Sequence, residues 1–435
     1  MQNMIRKVRA TFSPYVNDYE KTADAFLQSL GAKSDQAQVR QTVTEFMQDD
    51  AASFLLWCER KLKNYASLTK ETRKKMYENL QAIRSSFQSY SFMQVPDTDQ
   101  IFFELFEKDI NTEKMKAKTR ELQYLKQIME YFRSYIAYEP KEALGFGELL
   151  KNPKTSQLSG DNHQVAIIYA YLYALKYDVT DLQIKITTNR VCLHFLGADI
   201  DLVFGTFERY INELYEITPI TEALVLNLLD IPDEVEEAFT VSPKSLAKLA
   251  ELAQLLSDRT EIVEQNRRVA FRKILLHHLE KEDFAKAMQF AEQAEDTEAI
   301  QHVALKAAAF YLKKDDFIEA HKYAKKTKDP EGVATKIYEK EGITFFNQKN
   351  YIRAGEKFKK AGNREYLKKC YAGLFFQEQA KIKHIKLLSQ LKENKKTILQ
   401  MKLFAEKSGD QKLVSYTQNL LDQVNGKKKP KLKKK

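Results

Sequence analysis

Over most of the chain, apolar residues recur at spacings of three and four, and only one stretch alternates every second residue. The first spacing marks amphipathic helices and the second half-buried strands. Residues 1–140 read as helices with short joins. Ser13-Pro14 opens one, with Pro at its first position, and Gly31 closes it after Leu27 and Leu30. Further helices run near Val39–Met47, Ala51–Leu62 and Met76–Phe87. A longer one over 114–138 carries the stripe Leu122, Leu125, Ile128, Met129 and Phe132.

The pattern changes between Gly145 and about Phe207. A helix over 163–176 is apolar on nearly every side and must be buried. Three alternating runs follow: Leu182, Ile184 and Ile186; Val191, Leu193 and Phe195; Ile200, Leu202 and Phe204. Gly197-Ala198 suits a two-residue hairpin loop. That loop sets Leu196 opposite Asp199, Phe195 opposite Ile200 and His194 opposite Asp201. Opposed residues share a face about 5 Å apart, so the imidazole and the carboxylate become neighbours, the second half of a nucleophile–His–Asp arrangement.

The run Gly160-Asp161-Asn162-His163-Gln164-Val165-Ala166 resembles the helix start of the transglutaminase-like core, a papain-type fold, over about residues 145–207. The resemblance implies a nucleophilic cysteine opening the helix, a histidine on a strand and an aspartate on the next. His194 and Asp201 match, but Asn162 holds the cysteine position, and a carboxamide is no nucleophile. The three positions Asn162, His194 and Asp201 therefore read as a vestigial triad. Cys192 shares the strand face of His194 and is the possible thiol of a relocated site, or else a small buried hydrophobe. His163, His194, Asp199 and Asp201 match no metal-ligand spacing, so no metal and no cofactor is expected.

A period appears towards the C-terminus. Phe284/Ala287, Phe317/Ala320 and Tyr351/Ala354 are aromatic–alanine pairs 33 and 34 residues apart. Nine residues before the second and third aromatics stand Ala308 and Gly342, and six before stand Tyr311 and Phe345; the first copy has Leu275 and His278 there. This pattern, over about 262–363, resembles the tetratricopeptide repeat. The resemblance implies paired helices with small residues at their contacts and a groove that holds a protein segment. Two lysine-rich helices over 382–421 read as a cap.

Composition narrows the classes. Thirteen glycines and nine prolines in 435 residues are too few for a turn-dense all-β fold. The formal charge is +10, but Lys427–Lys435 alone holds seven lysines, leaving a body near +3. That end reads as a disordered basic tail (425–435), open to weak electrostatic contact with RNA or anionic lipid. Cys58, Cys192 and Cys370 lie far apart without a CxxC, which speaks for a reducing compartment. No apolar stretch follows Met1–Ala10, so no secretory signal is expected, and the most apolar run, 165–175, is too short to span a bilayer. The sequence thus predicts a mainly α, cytoplasmic protein in four parts: a helical region (1–140), a transglutaminase-like α+β domain (141–240), a tetratricopeptide-like α-solenoid with its cap (241–424) and the tail. A non-catalytic interaction or scaffold protein is the expected function. The alternative is a hydrolase or acyltransferase that uses Cys192, or an activated water, with His194 and Asp201.

Overall fold

A computed structural model describes residues 13–31, 34–135, 145–156, 158, 160–187, 190–210, 214–233, 236–385 and 387–427. The expectations for the first ten residues, for the lysine run beyond 427 and for the end of the helix over 114–138 lie outside the described residues. The protein is mainly helical with one small five-stranded antiparallel sheet. It divides into two compact units, Met1–Asp296 and Thr297–Lys435, and the division falls between the first and second copies of the aromatic–alanine pair.

The first unit begins with α1 (Asp18–Ser29), α2 (Gln36–Cys58), α3 (Lys70–Met93), α4 (Thr98–Glu107) and α5 (Thr119–Tyr135). The first of these starts later than Pro14, because the Asn17 side chain caps it by accepting from the Glu20 amide at 2.9 Å. Within α2, Asp50 leaves the helical region (φ −162°, ψ 86°) and recaps the chain by accepting from the Ser53 amide, 2.8 Å away. The apolar stripe of α5 is buried as the spacing predicts, with Leu122, Leu125, Ile128 and Met129 at 0% exposure.

Charge is also buried here. Arg73 on α3 donates to Glu20 on α1 (2.6 and 3.1 Å) and to the carbonyls of Leu68 and Pro14 (2.7 and 2.8 Å), while the Tyr77 hydroxyl donates to Glu20 at 2.8 Å. The Arg73 guanidinium lies 5.1 Å from the Trp57 ring centroid. All three guanidinium nitrogens of Arg73 and both carboxylate oxygens of Glu20 have hydrogen-bond partners, which is what allows an ion pair to sit in a core.

Helix α6 (Asn162–Tyr173) is apolar all round and buried from Gln164 to Tyr173. Tyr169 stacks on Phe132 of α5, with ring centroids 4.5 Å apart. It is followed by β1 (Gln183–Thr187), β2 (Val191–Phe195), β3 (Ala198–Asp201), β4 (Thr206–Glu208) and β5 (Tyr215–Pro219), in sheet order β4-β3-β2-β1-β5. The unit ends with α7 (Thr221–Leu229), α8 (Pro243–Leu256), α9 (Thr260–Glu280) and α10 (Phe284–Gln293).

The hairpin differs from the sequence expectation. The turn residues are Leu196 and Gly197, both at positive φ (51° and 102°), and the register pairs Phe195 with Ala198, His194 with Asp199 and Leu193 with Ile200. Positive φ at both central residues gives the twist that suits a tight hairpin, and it frees Ala198 to join the strand at 0% exposure. The third alternating run also stops early. Asp201 accepts from the amides of Val203 and Phe204 (2.8 and 2.9 Å), folding the chain into a turn that ends at Gly205, φ 60°.

The second unit contains α11 (Thr297–Lys313), α12 (Phe317–Ala324), α13 (Pro330–Asn347), α14 (Tyr351–Lys360), α15 (Arg364–Ile382), α16 (Lys395–Ser408) and α17 (Gln411–Val424). Each long helix packs on the next; short turns pair the helices up to α15, and residues 383–394, with the short helix Leu388–Glu393, carry the chain on to α16. The repeat positions carry the contacts. Ala308, Ala320 and Ala354 are buried, and a Cβ on Gly342 would meet the Phe358 ring at 2.8 Å, so glycine lets α13 and α14 approach. Tyr311 stacks on Tyr323 at 5.7 Å beside the cluster that Phe317 packs against. Phe345 and Tyr351 pack against the cluster of Ala354, Phe358 and Cys370. In the first unit, Phe284 and Ala287 are buried likewise, at 4% and 0% exposure.

Candidate functional site

Strand alternation gives the sheet two unlike faces. Ile184, Leu193, Phe195, Ile200 and Phe207 are all at most 2% exposed and form the apolar face. Helix α6 covers it: the Tyr173 ring contacts that of Phe195 at 6.5 Å. The opposite face carries Lys185, Cys192, His194, Asp199 and Asp201, each no more than 9% exposed.

Asp199 is the centre of this polar face. Its Oδ2 accepts from Lys185 Nζ at 2.6 Å and its Oδ1 lies 2.8 Å from His194 Nδ1. The Gly197 amide donates to His194 Nε2 at 3.2 Å. Nε2 therefore acts as an acceptor, which assigns the ring proton to Nδ1 and makes Asp199 its acceptor. Both ring nitrogens are in use, and neither is free to take a proton from a nucleophile.

The pairing of His194 with Asp201 is thus corrected to His194 with Asp199. The slipped turn moves the partner by two positions, which leaves it on the same face. Asp201 is engaged elsewhere. One of its carboxylate oxygens caps the turn after β3, and Oδ2 accepts from the Tyr210 hydroxyl at 2.9 Å. Rings close over the cations of this face, with the Lys185 ammonium 4.0 Å from the Tyr215 centroid and the Arg190 guanidinium 4.2 Å from that of Tyr210.

Cys192 is 1% exposed, and burial, with the Asp201 and Asp199 charges adding to it, pushes its thiol up to about 11. A thiol in that environment stays protonated at neutral pH and cannot meet a substrate. Asn162 begins the helix on the other side of the sheet from the His194 side chain. That end of α6 is joined to α7: Asn227 Nδ2 donates to the His163 carbonyl at 3.0 Å, and His163 Nε2 lies 3.7 Å from Asp230 Oδ2. The three vestigial positions are therefore not assembled around one cleft.

Asp161, His163 and Asp230 offer three ligand-type atoms within 4.8 Å of one another. The Lys63 ammonium already reaches this corner, donating to the carbonyls of Asp230 and Asn227 at 2.7 and 2.8 Å. The corner thus joins α6, α7 and the helical segment Glu59–Lys63 that follows α2. No sequence pattern signals it, because Lys63 is 167 residues from Asp230.

Comparison with protein-family models, with curated proteins and with solved structures found no match. Among the described residues, no helix is long and apolar enough to cross a membrane.

Proposed function

We propose that the chain is a non-catalytic cytoplasmic interaction protein, in which tetratricopeptide-like helix pairs bind a protein segment and a transglutaminase-like sheet domain acts as a scaffold. The observation that carries this reading is the saturation of His194: Asp199 and the Gly197 amide hold both ring nitrogens beside a sealed, protonated Cys192. An acyl-transfer site needs a free base next to an activated nucleophile, and this face has neither. Binding has better support. Ile318 and Ile352, each one residue after a repeat aromatic, are 82% and 64% exposed. Apolar side chains displayed at equivalent positions of successive helix pairs suit a partner with its own apolar stripe.

A photo-crosslinking amino acid placed at 318 or 352 in the full-length protein tests this reading. One and the same partner segment captured from both positions, and lost on Ile318→Asp or Ile352→Asp, supports it. No adduct at either position, or equal adducts from the exposed control position 292, would contradict it.

A further inference from the structure

The near-neutral average of the body conceals two halves of opposite sign. Residues 1–296 hold 37 lysines and arginines against 45 aspartates and glutamates, a formal charge of −8. Residues 297–435 hold 33 against 15, or +18, and 297–426, without the lysine run, hold 26 against 15, or +11. The folded helix-pair unit is itself strongly basic, whatever the tail contributes.

The chain path concentrates that charge. Short turns alternate the direction of α11 to α15, which puts the turns after α12 and α14 on one edge of the unit, and a Cβ on Gly409 would come within 4.0 Å of Lys368 near the start of α15, which brings the turn after α16 to the same edge. Across residues 322–331, 356–369 and 402–412 there are 13 basic residues against 6 acidic ones. Each turn places two exposed cations there: Lys325 and Lys328, Lys359 and Arg364, Lys407 and Lys412. None of these six makes an ion pair among the described residues. Acids on this edge are mostly occupied. Asp329 and Asp410 cap helices through the Gly332 and Lys412 amides (2.9 and 2.8 Å), and Glu365 is paired with Lys369 at 2.7 Å.

Lysines at a helix C-terminus complement its dipole, which accounts for one or two per helix and not for an unpaired row recurring at three turns. A row of solvated, unpaired cations on a rigid scaffold attracts a polyanion. Its chemistry distinguishes between polyanions. The turn tips are Ala361-Gly362-Asn363 and Gly409-Asp410; they lack the bulky apolar side chains that anchor a peripheral protein in a bilayer. Half-buried tyrosines stand beside the cations, with Lys369 4.5 Å from the Tyr366 centroid and Lys407 5.4 Å from that of Tyr371. Cations held beside rings along one edge suit a flexible single strand, whose phosphates can follow the row of charges. The predominance of lysine over arginine points to backbone contact without sequence reading.

We infer that the edge formed by the turns after α12, α14 and α16 binds the phosphodiester backbone of single-stranded nucleic acid, independently of sequence. The surface is separate from the exposed isoleucines that carry the proposed protein-binding role.

The test uses the full-length protein and fluorescein-labelled 30-nucleotide oligo(U) and oligo(dT), with a DNA duplex of equal length and phosphatidylserine vesicles as the other arms. Binding of the single strands is expected, with log K falling linearly against log salt. The triple reversal Lys359→Glu, Arg364→Glu, Lys407→Glu should weaken it by about 20-fold or more, each lost phosphate contact removing a share of affinity. Reversal of Lys313 and Lys349, at the opposite turns, should change it less than about threefold. Truncation after Gly426 should leave most of the loss caused by the triple reversal still measurable. Circular dichroism and the melting temperature verify that the variants remain folded. Four results would overturn the proposal: no oligonucleotide binding at low salt, equal losses from the two reversals, binding that vanishes on truncation alone, or preference for the duplex or the vesicles over the single strands.

Discussion

The two units handle charge in opposite ways. The first buries it: Arg73 with Glu20, and Lys185 with Asp199 and His194, sit at 9% exposure or less with their polar atoms matched. The second displays it, leaving six cations at alternate turns in solvent without carboxylate partners among the described residues. A matched, buried group has its valences spent and holds structure. An exposed, unmatched group is free for a partner. Titratable residues gathered on one sheet face look like a reaction centre in the sequence, yet Lys185, His194, Asp199 and Asp201 are tied to one another and to the chain by hydrogen bonds, while the cations at the turns of the second unit stand in solvent.

The contrast can be broken by removing one partner at a time. The largest effect should come from Glu20→Ala, which strands the Arg73 guanidinium in the core; about 3–5 kcal/mol of stability should be lost in a denaturant titration. A loss below about 1 kcal/mol would show that water reaches the pair. Next, Asp199→Asn leaves the Lys185 ammonium without its carboxylate and weakens the hold on His194. It should cost about 2–4 kcal/mol, and Asp201→Asn should cost less, since its main losses are a turn cap and one tyrosine bond. Equal costs would return the histidine's partner to Asp201. The smallest effect should be that of Lys359→Glu with Arg364→Glu, within about 0.5 kcal/mol, as expected for exposed groups that hold nothing together.

The two sheet faces and the helix periods are legible in the sequence. Alternation alone places Leu193, Phe195 and Ile200 inside. It cannot set the register, because a slide by two positions keeps every residue on its face and only exchanges Asp201 for Asp199 opposite His194. The deciding feature is Leu196 in the left-handed region, which a leucine seldom signals. Strand β5 is hidden because Thr218-Pro219 looks like a break; the strand is at the sheet edge, and Pro219 is its last residue, where a missing amide does little harm. The Arg73–Glu20 pair is illegible because charges on amphipathic helices ordinarily face water. The repeat spacing is legible because contact positions recur with the helices themselves. The opposite signs of the two units are present in the sequence as well, but averaging over the whole chain erases them.

Thiol labelling of the native full-length protein at neutral pH tests most directly whether the polar sheet face lacks an activated nucleophile. Cys58, Cys192 and Cys370 are all buried, and burial raises each thiol above its ordinary value. All three should react slowly, limited by opening of the fold, with His194→Ala doing nothing to slow Cys192. Rapid modification of Cys192 ahead of the other two, abolished by His194→Ala, would contradict a purely structural role for this face.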